Sequence, residues 1–129
     1  MSRKVISTDQ APAAIGPYSQ AVQAGNMVFL SGQIPLSAKS GDMVGGDDVE
    51  LQTDQVMKNL RSVLKAAGTG FEHVVRATIY LTDLGDFSRV NMIYGGFFSG
   101  MEPPARACVE VSALPKGAKV EIDMIALVP

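Results

Sequence analysis

Residues 103–126 read PPARACVEVSALPKGAKVEIDMIA, and the alternation inside them decides the fold class. In ACVEV the apolar Ala107, Val109 and Val111 recur at every second position, and in VEIDMIAL so do Val120, Ile122, Met124 and Ala126. A period of two marks strands with one face turned to a core. Working outward, VVRATIYL (74–81) places Val75, Ala77, Ile79 and Leu81 on one face, and MVFLSG (27–32) adds Val28 and Leu30. These sets are predicted to lie under helices.

Two helices are predicted from spacing. Val56, Met57, Leu60, Val63, Leu64 and Ala67 share a face of residues 47–68, with Asp48 as N-cap and Gly68 as stop. Phe87, Val90, Tyr94, Phe97 and Phe98 form a second stripe, with Asp86 as N-cap and Gly100 as stop. The Gly95–Gly96 pair weakens this helix and suggests close packing. The Gly-rich SAKSGDMVGGDD (37–48) reads as turns rather than an interdomain linker. The expectation is a single domain spanning residues 1–129.

The opposite strand face is predicted to collect Met27, Phe29, Ser31, Arg76, Thr78, Tyr80, Arg106, Cys108, Glu110, Glu121, Asp123, Ile125 and Leu127. That set is too apolar for free solvation and too charged for a plain core. Two helices cover one side of a sheet, so the other is expected to pack on copies of the chain.

The chain has 47% hydrophobic and 19% charged residues, a net charge of -2 and a pI near 5.3. That balance fits a globular protein and argues against non-specific nucleic-acid binding, which needs clustered Lys and Arg. No secretory signal, membrane span or basic amphipathic segment is read, and the single Cys108 fits a reducing cytosol. The expectation is a soluble cytoplasmic protein.

One histidine and one cysteine leave little room for zinc or for a Ser–His–Asp triad, and His73 reads as a surface or turn residue. Nucleotide-cradling glycine motifs and calcium loops are missing. Neither a metal nor a cofactor is expected. The remaining chemistry rests on carboxylates, hydroxyls, backbone groups, water and arginine.

Arg106 follows a double proline at the start of a strand. A buried guanidinium costs several kcal/mol unless an anion meets it. Its fork matches a carboxylate through two parallel hydrogen bonds. The anion is either a visiting acid or an internal partner, Glu110, Glu121 or Asp123. Glu121 lies between Val120 and Ile122, where burial raises a carboxyl pKa toward acid–base use; an interfacial ion pair is the alternative. Ser31 offers a hydroxyl and Gly32 close backbone approach, unless both simply make a turn. Tyr18, after Gly16–Pro17, either walls a pocket or staples the N-terminal segment. Cys108 reads as inert packing.

Four stretches together, APAAIGPYSQAV (11–22), GNMVFLSGQIP (25–35), VNMIYGGFF (90–98) and the 103–126 segment, resemble the Rid family of reactive intermediate deaminases, most closely its RidA branch. The likeness covers essentially the whole chain, and its most specific part is P-A-R-x-C-V-E-V followed by V-E-I-D-x-I-A. It implies a chorismate-mutase-like α+β fold, with a mostly antiparallel sheet and two helices on one face, assembled as a homotrimer with clefts between subunits. It also implies cofactor-free hydrolysis of enamine/imine intermediates released by pyridoxal-phosphate enzymes, notably 2-aminoacrylate/2-iminopropanoate to pyruvate and ammonia. By position, the family's carboxylate-binding arginine falls on Arg106 and its cleft glutamate on Glu121. Its other site residues fall on Tyr18, Ser31, Gly32, Asn91 and Cys108, the last through its backbone. Ala107 and Asp123 depart from common relatives, which carry Ser or Thr and Glu there. Two other readings are a non-catalytic module binding small imino or keto acids at the same clefts, and an RNA-cleaving translation inhibitor.

Overall fold

Alternating segments become strands of one sheet, and the helix-period segments become one layer above it. The computed structural model describes residues 2–129. The strands are β1 (Arg3–Ile6), β2 (Ala21–Ala24), β3 (Met27–Gln33), β4 (Val74–Leu81), β5 (Ala105–Glu110) and β6 (Val120–Leu127). Their order across the sheet is β1-β2-β3-β6-β4-β5, and only the β4–β5 pair is parallel. A parallel pair needs a crossover, and α2 (Phe87–Gly96) supplies it. The other helix, α1 (Val49–Ala66), lies on β6 and β3 and against α2. The α+β class and the mostly antiparallel sheet are therefore as expected.

Helix α1 begins where the sequence places it. Asp48 Oδ1 accepts hydrogen bonds from the backbone N–H of Glu50 at 2.9 Å and Leu51 at 3.2 Å. Gly68 follows the end in the left-handed conformation, φ +82°, and the Thr69 N–H reaches back to the Leu64 carbonyl at 3.0 Å. The buried face of α1 carries Val56, Met57, Leu60, Val63 and Leu64, packed on Ile79, Leu81, Ile122 and Met124 of the sheet. Each such side chain contributes about 1.5–3 kcal/mol by leaving water.

Helix α2 departs from expectation at both ends. Asp86 occupies the N-cap position, but its side chain makes no capping bond; Asp83 instead accepts from Gly85 N–H in the preceding turn. The helix stops at Gly96 rather than running to Gly100. Neither Gly95 nor Gly96 packs closely, since a Cβ at either would meet nothing within 4 Å. Phe87, expected in the core, is 38% exposed.

Two strand assignments are also corrected. Between Val74 and Arg76 the β4–β6 register shifts, so two steps on β4 face one on β6. That bulge brings Val74 into the core and turns Val75 outward. On β5 the parity is reversed. Ala77 pairs level with Arg106 and Ile79 with Cys108, so these two, with Glu110, lie on the helix side. Ala107 and Val109 take the open side with Thr78, Tyr80, Glu121 and Asp123. Both sides of this edge strand carry apolar residues, so alternation alone does not orient it.

The open side of the sheet exposes large apolar side chains, among them Phe29, Val109 and Leu127. Among the described residues no helix is long and apolar enough to cross a membrane.

Candidate active site

The first half of the site grows from a bulge in β3. Leu30 pairs with Met124 and Gln33 with Ile122, so three steps on β3 face two on β6. Leu30 and Gln33 both stay buried, and the intervening Ser31 and Gly32 turn toward Glu121. The absence of a side chain at Gly32 leaves room for the Glu121 carboxylate, which a Cβ there would displace. Ser31 Oγ donates to the Ser19 carbonyl at 2.6 Å, and its N–H bonds the Gln20 carbonyl at 3.0 Å. These bonds tie the segment carrying Tyr18 to the strand.

Tyr18, Ser31, Gly32, Ile34, Lys116 and Glu121 line a cleft of about 490 Å³. Tyr18 itself is half exposed, and its hydroxyl accepts from the Ile15 N–H at 3.2 Å. Gly16, with φ +124°, makes the turn that precedes it. The Glu121 carboxyl is pushed above its ordinary pKa, chiefly by burial and secondly by the like charge of Asp123. Asp123 in turn accepts a hydrogen bond from the Tyr80 hydroxyl at 3.0 Å. Burial, followed by that bond, raises the Tyr80 phenol. A half-buried carboxyl that holds its proton more firmly than usual is a candidate for general acid–base work.

The second half lies across the sheet. Arg106 Nη1 donates to Asn91 Oδ1 at 2.6 Å, and its Cζ stands 5.5 Å from the Phe87 ring centre and 5.1 Å from that of Tyr94. Among the described residues Arg106 takes part in no ion pair. The internal partners weighed from the sequence are otherwise engaged or distant: Glu110 accepts from the Leu84 N–H at 2.9 Å, while Glu121 and Asp123 face the other side of the sheet. Asn91, Tyr94, Gly95, Pro103, Pro104 and Arg106 surround a depression of about 430 Å³. Cys108 shares the Arg106 face and packs on the core; burial raises its thiol pKa, partly offset by the Arg106 charge. A thiol so placed is a poor nucleophile. As an edge strand, β5 leaves backbone groups unpaired beside it.

The expected site residues thus form two groups within one chain, Tyr18, Ser31, Gly32 and Glu121 in one and Asn91, Arg106 and Cys108 in the other. His73 joins neither; it sits on a turn before β4, 3.8 Å from the Glu72 carboxylate. Lys116 was not anticipated. It lines the first cleft in a left-handed conformation, φ 56° and ψ 24°, which is uncommon for a residue with a side chain. Its place in L-P-K-G, before a glycine, is the one sequence signal for such a turn.

The sequence model of the family described as Endoribonuclease L-PSP matches residues 8–128. Protein DfrA of Myxococcus xanthus is 64% identical over 129 residues, covering 98% of this chain and 97% of that protein. A mouse protein named 2-iminobutanoate/2-iminopropanoate deaminase is 53% identical over 125 residues, covering 97% of this chain and 91% of its own. Among solved structures, a Rid-family protein of unknown function from Yersinia pestis, YyfA, superposes with a TM-score of 0.96 at 50% identity, covering 98% of this chain and all of that one. The chain belongs to the Rid family, the family that the Endoribonuclease L-PSP description denotes.

Proposed function

We propose that the protein hydrolyses small 2-imino acids, with 2-iminopropanoate as the reference substrate, in clefts shared between subunits of a homotrimer. The observation that carries this reading is Arg106, an exposed guanidinium whose side-chain hydrogen-bond partner is a neutral amide. The anion it expects comes from outside. The mouse relative's name supports the substrate class.

Arg106 and Glu121 face opposite sides of the sheet in one chain, so a cleft using both must draw them from two copies. The exposed apolar open face supports such an assembly. In the cleft, Arg106 binds the substrate carboxylate, while Ser31 and backbone near Gly32 and Cys108 hold the nitrogen end and a water. That water attacks C2 of the iminium, forming a C–O bond as the C=N electron pair moves to nitrogen. Glu121 accepts one water proton and returns it to nitrogen. As the C–N bond breaks its electron pair leaves with ammonia, the carbinol oxygen closes the C=O bond, and its proton passes through Glu121 to the ammonia, giving a keto acid and ammonium. The enamine tautomer enters after protonation at C3. Cytosolic placement rests on the single cysteine.

The test uses a serine dehydratase to generate the intermediate and follows keto-acid release. Arg106→Ala should lose about 10²- to 10⁴-fold in kcat/KM, from two charge-assisted bonds of about 1.5–3 kcal/mol each. Arg106→Ala and Glu121→Gln trimers, separately inactive, should regain about a quarter of wild-type activity when unfolded and refolded together in equal amounts, because one cleft in each mixed trimer is intact. No regain would place both residues in the same chain's site or in none. Saturable pyruvate binding without turnover would identify a binding module instead. RNA cleavage that co-purifies and vanishes in both variants would overturn the reading.

A further inference from the structure

Phe87, Asn91 and Tyr94 fall at i, i+4 and i+7 on α2, one stripe of the helix. All three converge on Arg106 across the β4–α2–β5 crossover. We propose that this stripe is a cradle that presets the Arg106 guanidinium, with Phe87 and Tyr94 as positioning residues for carboxylate recognition. The proposal rests on the reading of Arg106 as the substrate's anchor.

The physical logic is that a cation must be held without being neutralised. An internal carboxylate would fix the guanidinium but quench the charge that the substrate needs. Aromatic faces attract a cation through the ring quadrupole, by about 0.5–2 kcal/mol each, and carry no compensating charge. The Asn91 amide oxygen takes Nη1 at 2.6 Å. That single bond leaves the other N–H donors of the fork for two parallel bonds to a carboxylate.

The two rings sit in different surroundings. Tyr94 is buried in the core, whereas Phe87 is 38% exposed. An exposed phenylalanine at the start of a short helix adds little to packing, so its place over Arg106 is its clearest contact. Tyr94 pairs with Phe98 at 4.9 Å between ring centres, which links the cradle to the core and stiffens it. A preset guanidinium loses less freedom when its ligand arrives, which strengthens binding without any new contact.

The test measures KM and kcat for the imine and, separately, pyruvate affinity by calorimetry. Phe87→Leu should raise KM and weaken pyruvate binding by about 3- to 10-fold with kcat changed less than about threefold. Phe87→Tyr should restore both constants to within about twofold of wild type. Loss of melting temperature with KM unmoved, or failure of Phe87→Tyr to rescue, would overturn the cradle and leave a packing role. Arg106→Ala is the control. If it weakens pyruvate binding and Phe87→Leu does not, only the cradle falls; if Arg106→Ala itself leaves pyruvate binding intact, the anchor reading and the cradle fall together.

Discussion

Replacing Gly32 by alanine tests how closely the Glu121 carboxylate is placed. A methyl built on Gly32 overlaps Glu121 Oε2 and stands 2.9 Å from Cδ and 3.1 Å from Cγ. Ordinary contact begins near 3.4 Å, so the carboxylate group must swing away by about 1 Å or more. The Gly32 backbone is not in the left-handed region, so alanine is conformationally allowed there. Reduced freedom of the unfolded chain then stabilises by about 0.4–1 kcal/mol, and an off-rotamer Glu121 offsets this by about 0.5–1.5 kcal/mol. Net stability should barely move. Turnover should, because a misplacement of about 1 Å lowers a rate by about 10²-fold, equivalent to about 2.7 kcal/mol of barrier. The assay adds matched amounts of variant and wild type to a serine dehydratase reaction and reads keto-acid release, with thermal melts alongside. A kcat within about threefold of wild type would show that the carboxylate's position is immaterial. A melting temperature lower by about 10 °C would show that the methyl displaces backbone rather than side chain.

Glu121→Gln should nearly abolish turnover, and in the wild type activity should fall on the acid side as pH drops through the Glu121 pKa, which lies above 4.5. Because the native state holds this proton more firmly than the unfolded chain, wild-type stability declines as pH rises through the window above 4.5, and the penalty is complete above the folded pKa. Any gain in melting temperature for Glu121→Gln should therefore be larger at pH 7 than at pH 4; equal gains would contradict burial as the cause. Asp48→Ala removes both capping bonds of α1 and should destabilise by about 1 kcal/mol, seen as a melting shift of about 2–6 °C without change in KM. Tyr94→Phe deletes a buried hydroxyl that has no hydrogen-bond partner among the described residues, so the melting temperature should hold or rise while the ring still faces Arg106 and KM stays put. A raised KM would assign the hydroxyl itself a role.

What was legible in the sequence follows from where each segment sits. Residues of β3, β6 and α1 face one core, so their apolar period and their burial coincide. Edge strand β5 escapes this logic: its helix side carries the charged Arg106 and Glu110 beside Cys108, and its apolar Val109 goes to the open side, so the face of Arg106 becomes clear only from the parallel register with β4. Val75 was misassigned because one extra residue in β4 resets the parity, and composition carries no mark of that bulge. Glu121 is far in the chain from Ser31 and Gly32 and adjacent to them in space because of the other bulge, in β3. Resemblance named those residues; only the register explains why they meet. Phe87 and Tyr94 belong to the apolar spacing of that helix and Asn91 enters only by resemblance, but nothing in the sequence joins the helix to Arg106.

The Ser31 proton is committed to the Ser19 carbonyl. From the cleft, Oγ therefore offers lone pairs only, and whatever docks against it must bring a hydrogen of its own. A protonated imine does so; a ketone oxygen in the same spot confronts one electron-rich atom with another. Under the proposed reaction, Ser31 accepts from the reactant and repels what the reactant becomes.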